Sequence, residues 1–164
     1  MLFRSLSPIA NKRTDAYGGN FENRIRFPMQ VFKAVRAAFT GVLGMRISAT
    51  DWVDNGWTPE ETADFAARLK KEGANFVHIS TAGVAANQKI PVGPEFQVPF
   101  AKYVKDKVGL PTIAVGLITD PHKADDIIAR GDADLIGLAR SFLYKPRWMW
   151  EAAAALQEIG RAHV

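Results

Sequence analysis

The chain has 164 residues, 48% of them hydrophobic, no cysteine and a formal net charge of +4 at pH 7. That length supports one packed domain, and the missing cysteines exclude disulfides, thiolate chemistry and Cys-ligated metal while fitting a reducing, cytoplasmic home. The positive charge is dispersed, which argues against nucleic acid as a partner, and no apolar run approaches the roughly eighteen residues of a membrane span.

In chain order, the first distinctive stretch is Asn-Lys-Arg-Thr-Asp-Ala-Tyr-Gly-Gly at residues 11–19, closed by Asn23 and Arg24. A helical pattern follows over residues 22–39, then a short apolar run over 42–48. Thr58-Pro59-Glu60-Glu61 combines an N-cap, a proline at the first helical position and a capping-box glutamate, and Gly73 ends that helix. The next run, 76–80, precedes a helix over 99–107. A third run, 112–116, leads to Asp120-Pro121, which opens a helix closed by Gly131. The last run, 133–139, precedes a helix over 147–157. Each apolar run is nearly continuous, the pattern of parallel strands buried on both faces.

Alternating helices and strands predict consecutive right-handed βα units, part of an open doubly wound sheet or of a (β/α)₈ barrel. No Gly-x-Gly-x-x-Gly follows any strand, which weakens the dinucleotide-binding alternative. Small or polar residues end the runs at Ser48, Ser80-Thr81, Gly116 and Ala139-Arg140, where barrel enzymes place their chemistry.

Residues 11–24 resemble the loop after the fourth barrel strand in the old yellow enzyme family of FMN-dependent oxidoreductases. Gly44-Met45-Arg46-Ile47-Ser48, Ile113-Ala114-Val115-Gly116 and the run from Ala133 to Arg140 resemble that family's fifth, seventh and eighth strands. The likeness covers residues 6–157 and is nearest to the bacterial ene-reductases of the smaller, cysteine-modulated subgroup. It implies an α/β fold, the C-terminal half (about strands 5–8) of a TIM barrel.

The same resemblance implies FMN as cofactor and NAD(P)H as reductant, with hydride passing to an activated alkene or similar small-molecule acceptor. It also implies a homo-oligomeric parent enzyme. Arg46 matches the arginine that faces the N1–C2 carbonyl edge of the flavin. Gly116, Ala139 and Arg140 match the phosphate-binding positions, with alanine here where the family usually has glycine. On physical grounds a mid-strand arginine needs a partner, because an unpaired buried charge is costly; a salt bridge to Asp51 is the alternative to a flavin. Arg140 could instead cap solvent-side carboxylates.

Other residues carry blander readings. His78 reads as a hydrogen-bonded core or barrel-lining histidine, His122 as solvated, Asp125-Asp126 as an exposed helix face, and Trp148 and Trp150 as packing for the last helix. Residues 93–97 match a loop that borders the flavin in the family. The family's His-x-x-His or His-x-x-Asn substrate anchor is absent from the sequence. Neither Tyr17 nor Tyr103 matches its proton donor. No catalytic or metal-binding residue is therefore assigned.

The two ends carry an expectation of their own. Leu2–Ser5 can be encoded by CTCTTCCGATCT. Its reverse complement, continued as CACACGTC, reads Glu158 to Val164 after one insert base. Residues 1–5 and 158–164 are thus expected to be translated sequencing-library adapter flanking a partial barrel domain at 6–157. Such a fragment would be inactive, bind FMN weakly or not at all, and could self-associate through exposed strand edges. The alternative is a non-catalytic half-barrel that binds a flavin or phosphate.

Overall fold

The computed structural model describes residues 2–81 and 83–158. Met1 and residues 159–164, which carry most of the expected adapter-derived ends, lie outside the described residues. The elements are α1 (Leu2–Leu6), α2 (Phe21–Ala38), β1 (Gly44–Ser48), α3 (Pro59–Lys71), β2 (Phe76–Ser80), α4 (Val98–Val108), β3 (Thr112–Ala114), α5 (Pro121–Ala129), β4 (Leu135–Ile136), α6 (Arg140–Tyr144) and α7 (Trp148–Ala155). All four strands are parallel, in the spatial order β1-β2-β3-β4. A doubly wound sheet reverses its strand order at a switch point, whereas a barrel adds each strand beside the last. The sequential order decides for the barrel.

Helix boundaries follow the local chemistry. Thr58 accepts from the Glu61 N–H while Glu61 reaches back to the Thr58 N–H, completing the capping box before Pro59. Asp120 caps α5 by accepting from His122 N–H. Gly73 and Gly131 leave their helices at φ +88° and +74°, a region where a side chain is penalised. The short helix α1 goes beyond the sequence reading. The last two strands are also shorter than the apolar runs. After Ala114 the backbone turns away through Gly116 and Leu117 at φ +126° and +54°.

Burial alternates along the strands instead of covering both faces, which corrects the sequence expectation. Met45, Ile47, Val77, Ile79 and Ala114 are buried against the helical layer with Phe65, Leu69, Val104 and Ile127. Each large apolar side chain buried there contributes about 1.5–3 kcal/mol. The register aligns Arg46, His78, Ile113 and Leu135 in one row on the opposite face. That row is open: Arg46 is exposed, His78 and Ile113 are half-buried, and Leu135 is 56% exposed. The runs read as continuous because this face also carries apolar residues, although no second layer of described side chains covers it.

The loop at residues 11–24 acts as a structural clamp. Asn11 donates through Nδ2 to the Ser5 and Tyr17 carbonyls at 2.7 and 2.8 Å. Gly18 lies so close to Arg13 that a Cβ would fall 2.1 Å from its carbonyl oxygen. Arg24, only 5% exposed, donates to the Leu6 and Gly19 carbonyls and to Glu61 Oε1 at 2.5, 3.1 and 2.5 Å. Its guanidinium also lies 5.4 Å from the Trp57 ring centroid. One buried cation thus ties α1, the loop, α2 and the N-terminus of α3 together.

Candidate active-site cavity

A cavity of about 260 Å³ opens at the C-terminal ends of the strands. Its lining brings together all four residues singled out from the sequence: Arg46, Gly116, Ala139 and Arg140. They come from three segments, the middle of β1, the turn after β3 and the junction of β4 with α6. Ligand pockets usually enclose about 300–1,000 Å³. This cavity therefore suits one portion of a mononucleotide.

Gly116 is required sterically. At φ +126° a Cβ would sit 2.9 Å from the Gln97 nitrogen and 3.2 Å from Gln97 Cβ. The Gly116 carbonyl accepts from Glu95 N–H at 2.7 Å, so the turn is pinned to the loop before α4. On the other wall, Phe142 and Leu143 N–H groups return to the Ala139 carbonyl and start α6. The N–H groups of Gly116, Leu117, Ala139, Arg140 and Ser141 donate to no acceptor among the described residues. All five residues line the cavity. Groups of this kind at a helix start and a glycine turn suit an anion. With only five residues, α6 contributes little macrodipole, so the individual N–H groups matter more.

Arg140 is exposed and meets no carboxylate among the described residues, so the carboxylate-capping alternative finds no partner there. For Arg46 the structure corrects the sequence expectation. Its side chain is exposed on the open sheet face, so its charge is not stranded in a core. Asp51 is not its partner, because that carboxylate accepts from Ser7 Oγ at 2.6 Å and Trp57 N–H at 2.7 Å. Arg46 Nη1 instead lies 2.7 Å from His78 Nε2 and 3.3 Å from Nδ1, over the imidazole ring. Burial, and then the adjacent Arg46 charge, push the His78 pKa from 6.5 down to about 4. The imidazole is neutral at pH 7.

His78 thus lines the barrel face, as read from the sequence, with Arg46 against its ring. Gln97 and Gly137 also line the cavity and were not singled out as site residues. Gln97 is 7% exposed and donates through Nε2 to Thr81 Oγ1 at 2.8 Å, tying the end of β2 to α4. The signal for Gly137 was available only from register, which places it two residues beyond Leu135 on the open face. Trp148 packs at 6% exposure and donates to the Thr119 carbonyl, but Trp150 is 75% exposed and does not pack α7. Among the described residues, no group of three His, Cys, Asp or Glu side chains is placed to hold a metal. No described helix is long and apolar enough to cross a membrane.

The fold and the cavity define an α/β chain forming part of a TIM barrel, with an anion-suited site at the strand ends. Residues 1–158 match the model of the NADH:flavin oxidoreductase / NADH oxidase family, and the chain belongs to that family of enzymes. It is 41% identical over 151 residues to an NADPH dehydrogenase of Geobacillus thermodenitrificans, covering 92% of this chain and 44% of that protein. An NADPH dehydrogenase of Listeria innocua is 38% identical over 158 residues, covering 96% of this chain and 46% of its own length. The chain thus spans about half the length of the curated relatives it matches. Morphinone reductase superposes with a TM-score of 0.69 at 24% identity, covering 93% of this chain and 41% of that one, a likeness of fold.

Proposed function

We propose that the strand-end cavity holds the phosphate and one ring edge of FMN. In this reading the chain carries the cofactor-binding half of an oxidoreductase that passes hydride from NAD(P)H to an activated alkene or similar acceptor. The observation that carries the reading is the convergence of Gly116, Ala139, Arg140 and Arg46 on one cavity. The donor set fits the group. Unpartnered N–H groups on both walls, with Arg140 beside them, suit a dianionic phosphate. Arg46 leaves Nε and Nη2 free of partners among the described residues for an electron-rich ring edge. Alanine at 139 is tolerated because such contacts come from the backbone.

Bound FMN would supply two-electron hydride chemistry, and the chain's residues would bind and orient it. Gly116 holds the turn open for close approach, Arg140 closes the anion site, and Arg46 presents a fixed positive charge to the ring. The cavity lining contains no tyrosine, cysteine or carboxylate, and its one histidine, His78, is held neutral at pH 7. We read the isolated chain as inactive. The outer edges of β1 and β4 make no strand pair among the described residues, which supports self-association through them.

Titration of the purified chain with FMN, with parallel assays using NADPH and an enone, tests the reading. Weak FMN binding without turnover is expected. Turnover by the isolated chain, or no detectable FMN binding, would overturn it.

A further inference from the structure

We infer that Glu95 is a positioning residue for the anion site: its N–H fixes the Gly116–Leu117 peptide, which turns the Leu117 N–H towards the bound phosphate. The inference rests on the reading of the cavity as the site of the FMN phosphate. Gly116 and Leu117 line the cavity and Glu95 does not. The Gly116 carbonyl accepts from Glu95 N–H at 2.7 Å, so it points at the loop before α4. The peptide that follows is trans, and a trans peptide sets its N–H opposite its carbonyl. The Leu117 N–H therefore faces the other way, and it donates to no acceptor among the described residues.

Glu95 holds this post in an unfavourable conformation. The Gly93 carbonyl accepts from Phe96 N–H at 3.3 Å across Pro94 and Glu95, and Glu95 sits at φ +64°. Proline followed by a positive φ is the pattern of a type II turn, which favours glycine or asparagine where this chain has glutamate. The side chain is therefore strained, and its carboxylate supplies an offsetting hold. Oε1 lies 3.7 Å from Lys123 Nζ and Oε2 lies 3.5 Å from Arg130 Nη2, so the turn is tied to α5 and to the residue that ends it. On the other side the Glu95 carbonyl accepts from Val98 N–H at 2.8 Å, at the start of α4. By charge alone a carboxylate here would oppose an anion. Its place is explained by the turn that it secures.

Two measurements test the assignment. The first uses NMR of the unliganded chain. A scalar coupling across the hydrogen bond from the Glu95 nitrogen to the Gly116 carbonyl carbon is expected, with a Leu117 amide that exchanges rapidly with water. Absence of the coupling, or a Leu117 amide protected as strongly as that of Glu95, would overturn the inference whatever FMN does. The second is the affinity of FMN and of riboflavin for three forms of the chain. Glu95→Ala keeps the strain and loses both ion pairs, so FMN should weaken about threefold, the scale of exposed pairs, while riboflavin is unchanged. Glu95→Gly reaches φ +64° without strain, so it should bind FMN at least as tightly as the wild type and about fivefold more tightly than Glu95→Ala. Unchanged or tighter FMN binding in Glu95→Ala, equal losses in the alanine and glycine variants, or a parallel loss of riboflavin binding would each refute positioning. Complete failure of the wild-type chain to bind FMN would refute the cofactor reading and leave the positioning claim to the unliganded spectra. Circular dichroism of each variant identifies loss of fold, in which case the wild-type spectra carry the test.

Discussion

Replacing Arg24 by methionine keeps the apolar stem over Trp57 and removes every donor of the clamp. The Leu6 and Gly19 carbonyls and Glu61 would each lose their partner. Breaking a buried ion pair from one side costs about 3–5 kcal/mol. The Arg24 side chain is 6% exposed but Glu61 is 25% exposed, so water can partly satisfy the carboxylate. The lower end, about 3 kcal/mol, is therefore expected. With a urea slope of about 1–3 kcal/mol per molar, the unfolding midpoint should fall by about 1–3 M. Glu61→Gln keeps an oxygen for the Thr58 N–H and loses only charge, so about 1 kcal/mol is expected. The double variant should lose less than the sum of the two, with a coupling of at least about 1 kcal/mol. A loss below about 1 kcal/mol for Arg24→Met, or strict additivity, would show that the signature loop does not hold these elements together.

Three further outcomes follow from the geometry. Gly116→Ala should destabilise by about 1–3 kcal/mol, read as a lower Tm, because the methyl meets Gln97 at a backbone angle that L-residues avoid. His78 has a folded pKa of about 4, below its ordinary 6.5, so the unfolded chain takes up the proton first. Its contribution to stability is complete above pH 6.5 and declines as pH falls towards 4, and urea midpoints across that window should fall less steeply in His78→Gln. Ser48 Oγ is buried with no hydrogen-bond partner among the described residues, so Ser48→Ala should be neutral or stabilising in the same assay.

Local chemistry made most of the architecture legible. Thr58-Pro59-Glu60-Glu61 and Asp120-Pro121 specify helix starts within a few residues, independently of anything distant in the chain. The four candidate residues could be singled out because Gly116, Ala139 and Arg140 fall at the ends of apolar runs and Arg46 is a lone charge within one. Their environments were not legible, since those depend on long-range partners. Asp51 is captured by Ser7, forty-four residues away, which removes it as a counter-ion for Arg46. The exposure of Arg46 depends on what covers the sheet face, a property no window around residue 46 contains. The clamp role of Arg24 likewise required Leu6 and Glu61 to meet in space. Gly137 looked like an ordinary small residue until the register set it against His78.

The assignment of the strand-end cavity to a flavin phosphate is decided by comparing FMN with riboflavin and mapping backbone amide shifts in the isolated chain. The cavity should bind FMN with a Kd on the order of 0.1 mM, about −5.5 kcal/mol. The largest shifts should fall on Gly116, Leu117, Ala139, Arg140 and Ser141. Riboflavin, which lacks the phosphate, should bind at least about tenfold more weakly, and Arg140→Ala should shrink that difference. Equal affinity for the two flavins, or shifts clustered away from these residues, would contradict the assignment.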